Sequence, residues 1–127
     1  MTKKVLVIDD DPTVQRLAEY VLKKSGYEVL TAANGIEGLR KVKTEKPQLV
    51  ILDVMLPGMD GFEVCDRLRK DPETAHIPVL MMSAKAQTSD DDTARNVGAD
   101  EYLVKPASPS EMLRRVARLL GESAPGE

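Results

Sequence analysis

The sequence predicts an α/β domain, a parallel sheet with helices on both faces, and three observations predict it. Five short apolar runs recur, Val5–Ile8, Val29–Ala32, Leu49–Leu52, Val79–Met82 and Tyr102–Val104, each followed by a longer amphipathic stretch. Several of the runs are nearly continuous Val, Ile and Leu, the composition of strands buried on both faces, as in a parallel sheet covered by helices on each side. At 127 residues the chain holds one hydrophobic core and is too short for two. The reading is a (βα)5 repeat folded into one doubly wound, five-stranded parallel sheet.

The first run leads into the helix with the clearest punctuation. Asp11 reads as its N-cap and Pro12 as its first residue, Val14, Leu17, Ala18, Val21 and Leu22 fall on one stripe, and Gly26 lies beyond its end. After the second run, Ile36, Leu39 and Val42 mark a helix that ends before Pro47. After the third, Phe62, Cys65 and Leu68 mark a helix that starts after Gly61. The fourth helix, roughly Ser89 to Val97, has only Ala94 and Val97 as apolar anchors and carries Asp90, Asp91 and Asp92 near its start, where acids suit the helix dipole. It is expected to be the least firmly packed. The fifth opens on Ser108, Pro109, Ser110 and Glu111, a capping box with proline at the first position, and sets Met112, Leu113, Val116, Leu119 and Leu120 on one side. The second and fifth runs are weaker strands, expected nearer the edges. From Gly121 the composition is that of a linker, so residues 1–120 are expected to form the domain and 121–127 a flexible tail or the start of a linker.

A chain with 42% hydrophobic and 31% charged residues has ordinary globular composition, which excludes a disordered or fibrous chain. With 18 basic and 21 acidic residues the net charge is −3, so the broad positive field that binds phosphate backbones is missing and no direct nucleic-acid binding is expected. Cys65 is the single cysteine; it has no internal disulfide partner and reads as a small core residue. His76 has no Cys or His at ligand spacing, which argues against a metal role. The apolar run near the amino terminus is four residues long, so neither a signal peptide nor a membrane span is read, and a cytoplasmic location is expected.

Ligands of an open parallel sheet bind at the carboxyl ends of its strands, where strand order reverses. The first run ends in Asp9 and Asp10, the third in Asp53, the fourth in Ser83, and the fifth in Lys105 followed by Pro106. All these groups leave the sheet at the same edge. If the first and third strands are neighbours, three carboxylates crowd together, and such carboxylates either share protons or bind a cation. A hard, oxygen-liganded ion such as Mg²⁺ resolves the crowding. Each residue also has a plainer reading: Asp9, Asp10 and Asp11 as acids at a helix N-terminus, Asp53 as a loop acid before the turn-rich stretch Met55–Gly61, Ser83 as a helix cap, Lys105 as a surface cation. Their joint occurrence at the ends of four strands favours a functional edge. Arg114, Arg115 and Arg118 read either as a partner-binding face or as cations suiting a helix C-terminus.

The motifs Val-Leu-Val-Ile-Asp-Asp-Asp at Val5–Asp11, Leu-Asp-Val-Met-Leu-Pro-Gly-Met-Asp-Gly at Leu52–Gly61, Met-Ser-Ala at Met82–Ala84 and Gly-Ala-Asp-Glu-Tyr-Leu-Val-Lys-Pro at Gly98–Pro106 together resemble the phosphoacceptor receiver domains of two-component response regulators. The resemblance runs from Lys4 to about Leu120. It implies a flavodoxin-like sheet with the strand order 2-1-3-4-5 of the family's chemotaxis members. It implies that Asp53 is the nucleophile, taking a phosphoryl group from a phosphohistidine on a sensor histidine kinase or a histidine phosphotransfer protein to form an aspartyl phosphate. Asp10, Asp53 and the Met55 carbonyl would hold Mg²⁺ directly, Asp9 through a bound water. Lys105 would pair with phosphoryl oxygens and Ser83 would hydrogen-bond the phosphoryl group. Movement of the Ser83 hydroxyl would let the Tyr102 ring turn inward and change the face made by the fourth helix, fifth strand and fifth helix. Lys105–Pro106 resembles the family's cis peptide. Output would be a changed surface acting on a downstream protein or a linked output domain, a phosphoacceptor switch and not an enzyme beyond its own phosphorylation and dephosphorylation.

Two departures stand out. Most members carry an aromatic residue after Lys-Pro and this chain has Ala107, which alters packing beneath the fifth helix; Ser83, where Thr is also common, keeps the donor and loses a methyl. Met55 and Lys85 occupy positions that in the family tune the lifetime of the phosphoryl group. A phosphatase of the haloacid dehalogenase type also uses an aspartyl nucleophile and Mg²⁺, but it resembles Asp-x-Asp, and here Met55 stands two residues after Asp53. Nucleotide or flavin binding calls for a glycine-rich loop after the first strand, where Asp9-Asp10-Asp11-Pro12 would repel phosphate. Within the receiver reading two forms remain, a free-standing receiver and the amino-terminal receiver of a larger transcription factor or cyclase-type regulator, with a phosphorylation-dependent homodimer through the fourth and fifth helices open in either.

Overall fold

The computed structural model describes residues 2–84, 88–105 and 107–122. Strands and helices alternate along the chain: β1 (Lys4–Ile8), α1 (Pro12–Lys24), β2 (Glu28–Ala32), α2 (Gly35–Glu45), β3 (Leu49–Asp53), α3 (Gly61–Lys70), β4 (Val79–Ser83), α4 (Thr88–Asn96), β5 (Glu101–Val104) and α5 (Pro109–Leu119). All four strand pairings are parallel and the order is β2-β1-β3-β4-β5, with β2 and β5 at the edges as their weaker apolar runs predict. Lys85, the Lys105–Pro106 peptide and residues 123–127 of the expected tail lie outside the described residues.

Successive strand residues face opposite sides of the sheet, so each strand feeds two cores. Leu6, Ile8, Val50, Leu52, Val79 and Met81 pack against Val42 of α2, Val64, Cys65 and Leu68 of α3 and Ala94 of α4. Val5, Val7, Leu49, Ile51, Leu80 and Met82 pack against Ala18, Val21 and Leu22 of α1 and Met112 and Val116 of α5. Every residue of β3 and β4 is buried, at about 1.5–3 kcal/mol for each large apolar side chain. Cys65 is fully buried, as expected of a core residue, and burial pushes its thiol up to about 11.

Asp11 caps α1, accepting from the Thr13 N–H at 2.9 Å, and Ser108 caps α5, accepting from the Glu111 N–H at 3.1 Å. Asn34 and Asp60 cap α2 and α3 in the same way, each such cap contributing about 1 kcal/mol. Two stripe residues depart from expectation: Leu17 is 57% and Ile36 72% exposed. The buried surface of α2 is instead Gly35, Gly38 and Val42; a Cβ on Gly38 would strike the Ile8 side chain, so α2 lies too close to β1 for anything larger there.

The amino ends of the strands are closed by local partners. Arg69, in the last turn of α3, donates to the carbonyls of Gly98 at 2.8 Å, Ile77 at 2.7 Å and Ala75 at 3.2 Å, and pairs with Asp100 at 2.8 Å. Asp100 in turn accepts from the Val79 N–H at 2.7 Å, which ties the starts of β4 and β5 together. Lys4 Nζ donates to the Glu45 carbonyl at 3.0 Å, and Lys3 Nζ to the Leu120 carbonyl at 3.0 Å. Glu122 pairs with Lys3 at 3.2 Å and accepts from the Tyr27 hydroxyl at 2.8 Å; burial, and after it this bond to Glu122, push the Tyr27 phenol up to about 12.

Candidate functional site

The opposite ends of the strands carry the polar residues singled out in the sequence. Ile8 pairs in register with Leu52, so the next residues, Asp9 and Asp53, emerge side by side from β1 and β3. One carboxylate oxygen from each of Asp9, Asp10 and Asp53 lies within 4.8 Å of the others. Asp9 is 3% and Asp53 7% exposed, while Asp10 faces solvent. The Asp9 carboxylate accepts from the Asp11 N–H at 3.0 Å, and the Asp53 carboxylate from the Met55 N–H at 3.3 Å, which places the Met55 backbone beside it. Gly61 begins α3 directly under this turn: its N–H donates to the Val54 carbonyl at 2.9 Å, and any Cβ there would overlap the Asp53 carbonyl oxygen.

Lys105 arrives from the other side of the sheet. Its N–H donates to the Ser83 carbonyl at 2.7 Å, extending the β4–β5 pairing, and its Nζ then reaches across to Asp9 Oδ2 at 2.6 Å and Asp53 Oδ1 at 3.5 Å. Burial pushes the Asp53 carboxyl up, the Lys105 charge pulls it down and the Asp9 charge pushes it up again, for a net rise. Burial alone would lower the Lys105 ammonium, but its bond to Asp9 and the charges of Asp53 and Asp9 outweigh that and hold it above its ordinary value. The ammonium is thus secured, and the two buried carboxylates share one cation.

Ser83 is fully buried at the end of β4, adjoining the residue that pairs with Asp53. Tyr102, on β5, is half-buried against the α2–α4 core, and Met55 is 54% exposed at the rim. The structure therefore brings Asp9, Asp10, Asp53 and Lys105 together, puts Ser83 at the neighbouring strand end and keeps Tyr102 further back along β5. An all-oxygen donor set of three clustered carboxylates fits a hard dication, the ligand chemistry of magnesium or calcium, and a buried carboxylate beside a fixed ammonium fits a nucleophile that meets an anionic electrophile.

One supporting residue had no motif to announce it. Gln15 donates through Nε2 to the Asp9 and Ala32 carbonyls, at 2.5 and 3.1 Å, and so fixes the ends of β1 and β2 against α1. Its only trace in the sequence is an amide beside the apolar stripe of the first helix. Arg115 and Arg118 both close on Glu101 of β5, at 2.7 and 2.9 Å, so their charge is spent between α5 and the sheet.

A family model described as the response regulator receiver domain matches residues 5–117. The chain is similar to the alkaline phosphatase synthesis transcriptional regulatory protein PhoP of Bacillus subtilis, 46% identical over 97% of this chain and 50% of that protein. It is similar also to the DNA-binding dual master transcriptional regulator RpaA of Synechocystis, 47% identical over 92% of this chain and 48% of that one. Among solved structures, the chemotaxis protein CheY4 of Vibrio cholerae superposes with a TM-score of 0.89 at 33% identity, covering 94% of this chain and 99% of that chain. A CheY-like receiver domain protein of Methanospirillum hungatei superposes with a TM-score of 0.90 at 30% identity, covering 95% of each. The chain spans about half the length of the curated relatives it matches.

Proposed function

The chain belongs to the response regulator receiver domain family, the signalling domain of two-component systems, and from that premise we propose that Asp53 is its phosphoacceptor. The observation that carries this reading is the placement of the Asp53 carboxylate, nearly buried, against both Asp9 and the Lys105 ammonium at the carboxyl edge of the sheet. An Asp53 oxygen attacks the phosphorus of a phosphohistidine on a partner kinase or phosphotransfer protein; the new O–P bond forms as the P–N bond breaks, and the imidazole leaves with its electron pair. Lys105 transfers its contacts from the carboxylates to phosphoryl oxygens as negative charge gathers there. Ser83 donates its hydroxyl to the phosphoryl group once that group is in place, and Tyr102 reports the change to the surface of α4, β5 and α5. Asp10 and Asp53, with the Met55 carbonyl, are proposed to hold Mg²⁺ and Asp9 to act through water; the ion would supply positive charge against the phosphoryl oxygens.

Residues 1–120 are proposed to be the receiver, working in the cytoplasm; among the described residues no helix is long and apolar enough to cross a membrane. A second reading, that this receiver precedes a DNA-binding output domain, is favoured by the names of the relatives and by the half of their length that this chain spans.

Intact-mass analysis after incubation with Mg²⁺ and acetyl phosphate tests the chemistry. One phosphoryl adduct is expected, absent from Asp53→Asn and from a metal-free control. An adduct that persists in folded Asp53→Asn, or none on the folded wild type from either acetyl phosphate or a panel of histidine kinases, overturns it.

A further inference from the structure

Behind the acidic edge, on the side of the sheet covered by α1 and α5, lies a cavity of about 200 Å³. The sheet supplies its floor through residues such as Ile51, α1 one wall through Val14, Leu17 and Ala18, and the segment entering α5 another through Ala107 and Met112. All but three of the lining residues are apolar, and those three, Asp9, Asp53 and Lys105, are the charged groups of the edge itself. The space is a partly open cleft, concave and mostly apolar as small-molecule sites are. Ala18 and Ala107 contribute only a methyl each, and Leu17, apolar yet 57% exposed, stands at the cavity wall without a full covering of its own. The one Phe of the chain, Phe62, packs in the core on the other face.

An apolar cavity of about 150 Å³ stays dry and accepts a benzene ring. The volume here holds one ring and is too small for the backbone of a docking peptide. Its polar end decides what the ring must carry: two carboxylates against one ammonium leave net negative charge, which favours a hydrogen-bond donor or a cation and disfavours an anion. We propose that this cavity is a binding site for a small molecule built on one aromatic ring that bears an N–H or O–H donor or an ammonium, the ring between α1 and α5 and the donor toward Asp9 and Asp53. The donor end shares Asp9 and Asp53 with the phosphoacceptor reading, but the ring's place between α1 and α5 does not rest on that reading, since the test, run without Mg²⁺, reads binding and not phosphorylation.

Methyl-detected NMR titrations of the whole chain with indole, benzylamine and benzoate examine the proposal. Indole and benzylamine are expected to give saturable shifts at the Val14, Leu17, Ile51 and Met112 methyls, with the Ile36 and Val64 methyls unmoved and benzoate about tenfold weaker or worse. Ala107→Phe and Ala18→Leu, each filling part of the space, are expected to weaken both ligands by about tenfold or more while the circular dichroism stays native. Absence of saturable shifts in the wild type, shifts centred on other methyls, equal binding of benzoate, or undiminished binding to both folded plug variants would each overturn the proposal. Should a plug variant not fold, the location of the wild-type shifts decides. Shifts only with a folded aromatic-bearing protein, and none with free rings, would assign the cavity to a partner's side chain and overturn the small-molecule reading.

Discussion

At the amino ends of the strands, the charges of Lys3, Lys4, Arg69, Asp100 and Glu122 each find an opposite charge or a carbonyl within hydrogen-bond reach, whereas the carboxyl ends set three acids against one ammonium. Both ends are built by the same strands, a few residues apart. At one, the partners lower the free energy of the fold and nothing is left over; at the other, burial and like charge raise it, and that excess persists because the two apolar cores hold the strand ends in place. The difference separates an end whose charges are matched from an end where an excess of acid is held in place.

The largest expected effect lies at the matched end. Replacing Arg69 by Met would remove this donor from the Gly98, Ile77 and Ala75 carbonyls and leave the Asp100 carboxylate with the Val79 N–H alone, and urea unfolding should show a loss of about 3 kcal/mol. The phosphoryl adduct should still form on the folded fraction.

The acidic end should respond in the opposite direction. The Asp53 carboxyl is raised, chiefly by burial, so its ionisation weakens the fold. Below the ordinary carboxylate range Asp53 is protonated in both folded and unfolded chains and this penalty is absent; it grows as pH climbs through the raised folded value and is complete above it. Asp53→Asn should therefore raise Tm by a few degrees at neutral pH and lose that advantage under acid conditions, as differential scanning calorimetry at several pH values would show. A lower Tm at neutral pH would break the contrast between the two ends.

The smallest effect belongs to Glu122. Glu122→Gln should bring the Tyr27 phenol down from about 12 toward the ordinary value of 10.0 in an ultraviolet titration, with fold stability altered by no more than about 0.5 kcal/mol.

Sequence patterns carried the sheet well because β1, β3 and β4 are buried on both faces and so read as unbroken apolar runs. They carried Asp9, Asp10, Asp53, Ser83 and Lys105 as well, since parallel strands deliver every carboxyl-terminal residue to one edge. Helix coverage was less legible. A stripe fixes the direction a helix faces and not how much of it the sheet covers, which is why Leu17 and Ile36 share the period of buried neighbours and yet stand in solvent. Partners that meet only through the fold were invisible. Arg69 has no periodicity that points to Gly98, and Arg115 and Arg118 find Glu101 across a turn whose path no local propensity sets.

The strand order also divides the site between two stretches of chain. Asp9, Asp10 and Asp53 precede the 71–78 connection and Ser83 and Lys105 follow it, the two groups meeting across the seam where β3 lies against β4. Opened in that connection, the molecule would leave the oxygen donors on one fragment and the hydroxyl and ammonium on the other. Neither fragment alone would carry a complete site, so an acidic edge restored to work by mixing the two would be a reporter that β3 and β4 had found one another again.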